Sequence, residues 1–391
     1  MSNTILVLNC GSSSIKFALF DAAAEPLPRE PLWTGKVEGI GSAQATLTEA
    51  QGKPVMLMLD PARPYHAALL RVRASVENRT GGRPPGAIVH RVVHGGSKYI
   101  APVRVDAAVL AELKTYIPLA PLHQPFALEA IEILLAELPG LPQVACFDTA
   151  FHRTLPQVEQ MFGLPYGLWE RGVRRYGFHG LSYEYMAVAL AERHGDVARK
   201  RTIVAHIGSG ASLCAMQELQ SAATTMGFSA LDGLMMGTRC GSIDPAVPLH
   251  LMNADKMTVD QVTHLLYHQS GLLGISGVSA SPKDLLAVEQ TNARARMALD
   301  LYVRRIVREV GALTAVLGGL DLLAFTAGVG ERSAVLRGRI CEALAWLGID
   351  LDETANVDHA ATISTATSRV RVVVEPTNEE WIAASHALRA L

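Results

Sequence analysis

The chain has few cysteines and no long hydrophobic run, and both absences limit its class. Among 391 residues there are five cysteines, scattered and without a CxxC motif: Cys10, Cys146, Cys214, Cys240 and Cys341. Their odd number and spacing disfavour a disulfide framework or a zinc knuckle and indicate reduced thiols in a cytoplasmic protein. No window reaches the roughly 18 apolar residues of a membrane span, and the opening MSNTILVLNC lacks the basic start of a signal peptide.

An excess of charge of either sign is also missing. Thirty-five Lys and Arg residues against 37 Asp and Glu give a formal charge of −2, which disfavours a nucleic-acid-binding or membrane-surface protein. Hydrophobic residues make up 49% and charged residues 18%, which excludes a disordered chain. An anionic ligand must therefore be held by local charges.

Strands alternate with helices along the chain, which is typical of the α/β class. Thr4–Asn9 and Ile15–Asp21 are predicted strands around the turn CGSSS, and Thr202–Met216 repeats this hairpin pattern. Because the two copies begin about half a chain length apart, we interpret them as an internal duplication, with coincidence as the alternative. The length predicts two domains, with crossings near residues 148–152 and near Thr377.

The rest of the chain gives further helix and strand predictions. Helices are expected near Tyr65–Asn78 and at Ala127–Leu138, Ser182–His194, Asp260–Gln269, Asp284–Leu317 and Ser333–Leu347, with a last helix at the C-terminus. For the long segment Asp284–Leu317, one continuous helix and a broken helix are both open. Strands are expected at Gln143–Asp148, Leu322–Gly328 and Val370–Pro376.

Three glycine-rich turns, CGSSS, HIGSGAS and AGVGERS, follow apolar strands. Backbone N–H groups in such turns bind phosphate oxygens, and Ser12, Ser14 and Lys16 would add hydroxyl donors and a cation. One such turn is more often without a ligand, but three in one chain favour a bound nucleotide. The chain has no GxxxxGK[ST] motif, and GVGERS lacks the third glycine of the dinucleotide fingerprint.

Cationic and oxygen-bearing side chains lie at strand ends and in glycine-rich loops. Arg239, in MGTRCGS, has no acidic neighbour in sequence until Asp244, which favours an anionic ligand. In HRVVHGG, strand alternation would place Arg91 and Val93 on one face and His94 on the other. Candidate magnesium ligands are Asn9, Asp148 and Glu379, although for Glu379 a simple helix-capping role is equally open.

These motifs together resemble the acetate kinase family (acetate/propionate kinases). The resemblance runs almost end to end, through NCGSSSIKF, HRVVHGG, LAPLH, FDTAFH, YGFHGLS, MGTRCGSIDP, GVGER and TNEE. It implies two duplicated α/β domains of the actin-like/sugar-kinase (ribonuclease H-like) fold with a central cleft, assembled as a homodimer. Residues 1–150 with the C-terminal helix 378–391 would form the N-terminal domain, and residues 151–377 the nucleotide-binding domain.

The resemblance also implies a reaction and assigns residues to it. The reaction is ATP + acetate ⇌ ADP + acetyl phosphate by direct in-line transfer, with Mg²⁺, or Mn²⁺ in its place, as cofactor. By position, the matched residues are Asn9 and Glu379 for magnesium, Arg91 for acetate, Asp148 as the catalytic aspartate, His179 and Arg239 for the transition state, and His123 as a further active-site histidine. Those matched to the nucleotide are Lys16, His206, Ile207, Gly208, Ser209, Gly210, Ser281, Pro282, Lys283, Gly328, Val329, Gly330, Glu331 and Arg332. Those matched to the methyl pocket are Val93, Leu122 and Phe178.

Acetate is already ionised at neutral pH, so its attack requires no general base. We therefore interpret Asp148 as an orienting group for an arginine or for magnesium-bound water. Charge on the transferring phosphoryl group would be neutralised by Arg91, His179, Arg239 and magnesium.

Some positions depart from the family pattern, mostly on the nucleotide side. Ser209 and Arg332 replace the usual asparagines, Ser281 and Lys283 replace aspartate and arginine, and Ser242 replaces aspartate. We expect altered base and ribose recognition, with another nucleotide or pyrophosphate as the alternative donor. Ala230 replaces a proline beside the methyl pocket, which would admit propionate. The remaining alternatives are a butyrate or branched-chain acid kinase, an actin-like nucleotide switch and a catalytically degraded paralogue.

Overall fold

The computed structural model describes residues 3–391, which divide into two compact units. One unit comprises the chain up to Ala150 together with Asn378–Leu391, and the other comprises Phe151–Thr377. The first unit is therefore discontinuous in sequence. No helix between residues 3 and 391 has both the length and the apolar character that crossing a membrane requires.

The first unit is built on one mixed sheet. Its strands are β1 (Thr4–Cys10), β2 (Ser14–Asp21), β3 (Trp33–Glu38), β4 (Thr46–Glu49), β5 (Val55–Met56), β6 (Ala87–Val92), β7 (Val103–Arg104) and β8 (Gln143–Phe147), and its helices are α1 (Pro64–Arg79), α2 (Ala107–Thr115), α3 (Gln124–Glu137) and α16 (Glu379–Ala390). The strand order is β5-β4-β3-β2-β1-β6-β8-β7. Apolar side chains of β1, β2 and β6 pack against α1 and α3 and form the core on that side of the sheet.

The parallel strands of this sheet bring distant residues to one edge. β1 and β2 form the predicted antiparallel hairpin, in which Asn9 lies opposite Lys16. β1 runs parallel to β6, and β6 runs parallel to β8. Because the carboxyl ends of parallel strands meet at the same edge, Asn9, Arg91 and Asp148 all lie at that edge.

The second unit contains a smaller sheet and most of the helices. Its strands are β9 (Thr202–Ile207), β10 (Ala211–Gln217), β11 (Gln220–Thr224), β12 (Leu322–Thr326) and β13 (Arg371–Val374). Its helices are α4 (Gln157–Gln160), α5 (Tyr166–Glu170), α6 (Gly180–His194), α7 (Asp196–Arg199), α8 (Ala246–Asn253), α9 (Val259–His268), α10 (Gly271–Ser276), α11 (Pro282–Val288), α12 (Ala293–Leu317), α13 (Ala327–Arg332), α14 (Ala334–Ala343) and α15 (Glu353–Val357).

The two sheets repeat one topology. The second sheet has the order β11-β10-β9-β12-β13, in which β11, β10 and β9 pair antiparallel and β12 and β13 continue parallel to β9. The strands β3-β2-β1-β6-β8 of the first sheet have the same order and the same directions. This repeat supports the duplication interpreted from the two hairpin sequences and confirms the α/β class.

Two local predictions were wrong. The strand expected at Leu322–Gly328 ends at Thr326, and AGVGER folds into α13 rather than a turn. β6 ends at Val92, so the strand alternation expected for Val93 and His94 does not apply. The long helical segment Asp284–Leu317, by contrast, has the break that the sequence left open: it lies between α11 and α12, where the Asn292 side chain accepts from the Ala295 N–H and begins a new helix.

Candidate active site

In the first unit, Arg91 contacts two other predicted residues, Asp148 and Glu379. Arg91 donates from Nε to Asp148 Oδ1 at 2.9 Å and from Nη2 to Asp148 Oδ2 at 2.8 Å. Its Nη1 lies 2.8 Å from Glu379 Oε2. The Asp148 side chain is only 4% exposed and that of Glu379 only 13%. The guanidinium that the resemblance matches to acetate thus engages two carboxylates of the protein itself, one on each edge.

Two carboxylates share this one guanidinium, and burial changes the pKa of one of them, Glu379. Burial disfavours the charged form of Glu379 and raises its pKa to about 7; Arg91 opposes this rise, whereas Asp148 and Glu380 add to it. Burial alone would lower the pKa of Arg91, but the two carboxylates raise it above its ordinary value. The cluster therefore places two carboxylates around one guanidinium, and Lys16 is a second cation that acts on Glu379.

The oxygen donors of this cluster fit a divalent cation. Asn9, Asp148 and Glu379 offer amide and carboxylate oxygens, the ligands that Mg²⁺ prefers, and Mg²⁺ needs only one or two carboxylates besides water and phosphate. Between residues 3 and 391 no group of three or more His, Cys, Asp or Glu side chains is arranged to hold a metal. A site with few protein ligands is therefore the type these residues can form.

α16 carries Glu379 in its first turn. The Asn378 side chain accepts from the Trp381 N–H at 3.0 Å and caps the helix, so Asn378 rather than Glu379 performs the capping. The Trp381 indole donates to the Leu27 carbonyl, and the Asn378 amide donates to that of Arg29. These bonds fix the start of the helix to the first unit, which leaves the Glu379 carboxylate for Arg91.

In the second unit, two of the predicted histidines stack on each other. The rings of His179 and His206 are 4.1 Å apart at an angle of 15°. His179 precedes α6 with a left-handed backbone (φ 59°), a conformation that non-glycine residues adopt at a cost and that is often found at functional sites. Its Nδ1 lies 2.8 Å from Ser212 Oγ, and His206 Nδ1 lies 2.8 Å from Ser182 Oγ.

The turn between β9 and β10 lies directly beside His179 and Arg239. It is closed by the Gly208 N–H donating to the Gly210 carbonyl at 3.0 Å. A Cβ placed on Gly210 would be 3.2 Å from His179 Nε2 and 3.8 Å from Arg239 Nη1. Burial lowers the pKa of Arg239, which donates to the Ala230 carbonyl at 3.0 Å. A glycine turn, an imidazole nitrogen and a guanidinium therefore meet at one point.

The other predicted residues are distributed over both units. Val93 and Leu122 are half-buried in the first unit, whereas Phe178 is buried in the second. His123 lies at the N-cap position of α3. In the second unit, Ser281 precedes α11, which contains Pro282 and Lys283. Gly328, Val329, Gly330, Glu331 and Arg332 lie on α13, and Ser209 lies within the β9–β10 turn.

Sequence reasoning missed the residues that support these groups. Ser182 and Ser212 bond the two histidines, and Tyr183 lies behind Ser212. The signal was present for both serines, because each lies in a quoted motif, YGFHGLS or HIGSGAS. Arg337 was also missed: it is 1% exposed, and its Nη1 donates to the Gly330 and Glu331 carbonyls of α13.

Comparison with known proteins identifies the family. The model of the acetokinase family matches residues 4–385. An acetate kinase of Rhodopseudomonas palustris is 47% identical over 394 residues, which cover all of this chain and 98% of that protein, and one of Rickettsia felis is 41% identical over 399 residues, which cover both chains completely. Two solved structures are also similar. The acetate kinase of Porphyromonas gingivalis has a TM-score of 0.88 at 36% identity over 100% of both chains, and a propionate kinase of Francisella tularensis has 0.91 at 34% over 99% of both. The resemblance seen in the sequence motifs is confirmed, and the chain belongs to the acetokinase family.

Proposed function

We propose that this protein is an acetate kinase, which transfers the terminal phosphoryl group of ATP directly to acetate and also catalyses the reverse reaction. The observation that carries the proposal is the two-bond pairing of Asp148 with Arg91, beside Glu379, at the carboxyl edge of the first sheet. Relatives 41–47% identical over the whole chain are named acetate kinase, and this agreement supports the assignment.

In the first unit, Asp148 acts as the group that orients Arg91. It occupies the Nε and Nη2 donors and so fixes the plane of the guanidinium. The charge of Arg91 then stabilises the carboxylate acceptor and the phosphoryl group that it attacks. Asp148 need not remove a proton, because acetate carries none at neutral pH. Val93, Leu122 and His123 complete the acetate side of the site in this assignment.

In the second unit, His179 and Arg239 stabilise the charge that spreads over the phosphoryl oxygens during transfer. Their common position beside Gly210 supports this role, because backbone N–H groups of the turn can hold the remaining phosphates. His206, Ser209, Gly328 and Arg332 belong to the nucleotide segments of this unit. Residues 151–377 are accordingly the nucleotide-binding domain of the proposal.

Magnesium belongs to the proposal as cofactor, with manganese as a substitute. Asn9, Asp148 and Glu379 would hold it, and the two carboxylates with little exposed surface support this assignment. When bound, Mg²⁺ neutralises phosphate charge and aligns the phosphates for in-line transfer.

The test is a hydroxamate assay for acyl phosphate with two aspartate variants. Asp148→Asn should lower kcat about 100-fold or more, because an amide cannot accept from both Arg91 donors. Asp148→Glu keeps the charge and tests distance. The matched control is Asp321→Asn, which breaks a similar two-bond pair with Arg201 at 2.7 and 2.9 Å outside the proposed site and should leave kcat within about two-fold of wild type. Equal loss in both variants would contradict the role of Asp148.

The same assay also compares phosphoryl donors and acid substrates. Ser209, Arg332, Ser281 and Lys283 support altered nucleotide recognition, so ATP, GTP and pyrophosphate are compared. Ordinary ATP affinity would refute that part of the proposal. The acids are acetate, propionate and butyrate, since Ala230 favours a larger pocket and the similar Francisella tularensis structure is a propionate kinase. Slow ATP hydrolysis unaffected by any acid would favour the actin-like switch instead.

A homodimer is also part of the proposal, and α8 supports it. The structure describes every residue of α8 and buries none of them, although its sequence AVPLHLMN is largely apolar. Val247 and Leu249 are 45% and 55% exposed, beside Ile243. An apolar helix left uncovered is typical of an interface, here with a second copy of the chain. Val247→Asp should convert dimer to monomer in light scattering after gel filtration; a dimer unchanged by this charge would place the interface elsewhere.

The proposed location is the cytoplasm. All five cysteines are free, and four of them are buried. Reduced thiols are ordinary in a reducing compartment. Cell fractionation with an antibody to the protein tests this assignment.

A further inference from the structure

A chain of three hydrogen-bonding groups runs behind the predicted catalytic histidine of the second unit. Tyr183 Oη lies 2.6 Å from Ser212 Oγ, and Ser212 Oγ lies 2.8 Å from His179 Nδ1. Tyr183 and Ser212 are both 0% exposed. α6 carries Tyr183 one turn after His179, and β10 supplies Ser212. The three groups are thus held by regular structure rather than by a mobile loop.

The direction of each hydrogen bond follows from the tyrosine. Burial raises the pKa of Tyr183 well above its ordinary value, so its hydroxyl keeps its proton. The polar side-chain atom within hydrogen-bonding distance of that hydroxyl is Ser212 Oγ, so Tyr183 donates to Ser212. Ser212 has one proton of its own, and His179 Nδ1 is the acceptor in line for it. A nitrogen that accepts this bond carries no proton.

We propose that Tyr183 and Ser212 are positioning residues that hold His179 as the neutral tautomer protonated on Nε2, with that N–H aimed at the glycine turn of the second unit. The ring atom of His179 that lies beside Gly210 is Nε2, and Arg239 Nη1 lies beside the same glycine. His179 then gives the transferring phosphoryl group a hydrogen bond without carrying a charge, and Arg239 supplies the charge. This inference rests on the proposed kinase function for its role in phosphoryl transfer, but not for the tautomer itself.

The alternatives for His179 break the same network. A proton on Nδ1, in the other tautomer or in the imidazolium, would give Ser212 two incoming donors and leave its own hydroxyl proton without an acceptor in this chain of groups. The hydrogen bonds therefore favour the neutral form protonated on Nε2.

The second histidine provides an internal comparison. His206 Nδ1 lies 2.8 Å from Ser182 Oγ, which in turn lies 2.9 Å from Thr377 Oγ1. A threonine hydroxyl can donate or accept, so this chain does not impose a direction as the buried tyrosine does. The same arrangement of histidine and serine thus occurs twice, with the tyrosine behind only one of them.

The test is ¹H–¹⁵N correlation spectroscopy of the histidine side chains in the full-length, ligand-free protein near neutral pH. His179→Asn identifies the signals of His179 by their loss. We expect an unprotonated Nδ1 and a protonated Nε2 in the wild type, and a mixture of tautomers in Tyr183→Phe and in Ser212→Ala. Ser182→Ala should change the signals of His206 and leave the tautomer of His179 as it is. A wild-type Nδ1–H, an imidazolium, or a His179 signal unaffected in both variants would overturn the proposal.

Kinetics supply the functional readout. Tyr183→Phe should lower kcat about 2- to 10-fold, because part of the molecules then present the wrong nitrogen, with the KM values for acetate and ATP nearly unchanged. The control is Tyr302→Phe, which removes another buried tyrosine hydroxyl, on α12, and should leave kcat unchanged. If Tyr183→Phe does not fold, Ser212→Ala carries both readouts. A protein that holds the Nε2–H tautomer but forms no acyl phosphate would refute the proposed function and not the tautomer.

Discussion

Replacing Gly210 by alanine would test the site of the second unit with a single methyl group. The backbone of Gly210 is not left-handed, so alanine can adopt it without strain. The new Cβ would lie 3.2 Å from His179 Nε2, a few tenths of an ångström closer than ordinary contact, and 3.8 Å from Arg239 Nη1. The imidazole must move, and the methyl group occupies the space that both side chains face.

The expected effect falls on catalysis rather than on stability. A misplacement of about 1 Å in a catalytic group costs roughly 100-fold, so a smaller shift of His179 should lower kcat by about 10- to 100-fold. The free energy of unfolding should change by less than about 1 kcal/mol, because alanine restricts the unfolded chain and so offsets the close contact. Initial rates in the hydroxamate assay give kcat, and urea denaturation gives the stability.

A kcat within two-fold of wild type would refute the reasoning, because it would mean that the phosphoryl group does not react in the space between His179 and the turn. A variant that loses its fold would refute it in another way, by showing that the close contact cannot relax. Saturation curves for ATP and acetate separate a change in kcat from a change in substrate affinity.

Three further predictions concern stability. Gly311→Ala, inside α12 where a Cβ meets no atom within 4 Å, should raise the free energy of unfolding by about 0.5–1 kcal/mol and leave kcat unchanged; a lower melting temperature would contradict this. Arg337→Met should lower that free energy by about 3 kcal/mol or more, because it leaves the carbonyls of Gly330 and Glu331 unpaired, and Arg337→Lys should not restore it, as measured by urea denaturation. Burial lowers the pKa of His90 to about 4. Below about pH 6.5 the unfolded chain therefore binds a proton at His90 that the folded protein does not bind. The stability that the neutral, buried His90 contributes is present above pH 6.5 and is lost as the pH falls toward 4. Between pH 7.5 and pH 5 the wild type should therefore lose about 2 kcal/mol more than His90→Leu, and equal losses in denaturation curves at the two pH values would disprove the assignment.

The sequence was most informative where one local pattern determines the structure. Both hairpins were predicted because apolar strands flank a short glycine–serine turn, and both formed in the predicted place. AGVGERS was misinterpreted because a glycine-rich segment after a strand can begin a helix as well as a turn, and Ala327 takes the left-handed conformation at that point. Periodicity does not distinguish the two cases.

The site was predicted residue by residue from the family motifs, and those roles stay predictions. The motifs could not show that Arg91 is held by Asp148 and Glu379, since these contacts join strand and helix ends that are distant in sequence. They also did not indicate Tyr183, because a buried tyrosine on an amphipathic helix is ordinary core. Only the position of Ser212 on β10 shows that the Tyr183 hydroxyl has a hydrogen-bond partner that in turn contacts His179.

The division of the chain has a consequence for its synthesis. α16 packs against β1, β6 and β8, all of which leave the ribosome long before it does. At about 5–20 residues per second, the roughly 230 residues from Phe151 to Thr377 take on the order of 10–45 s to make. During that interval α16 has not been made, so the first sheet lacks its last helix, and Arg91 and Asp148 lack Glu379. The first unit to be translated is thus the last to be completed. A chain that ended before Asn378 would have a first sheet without α16.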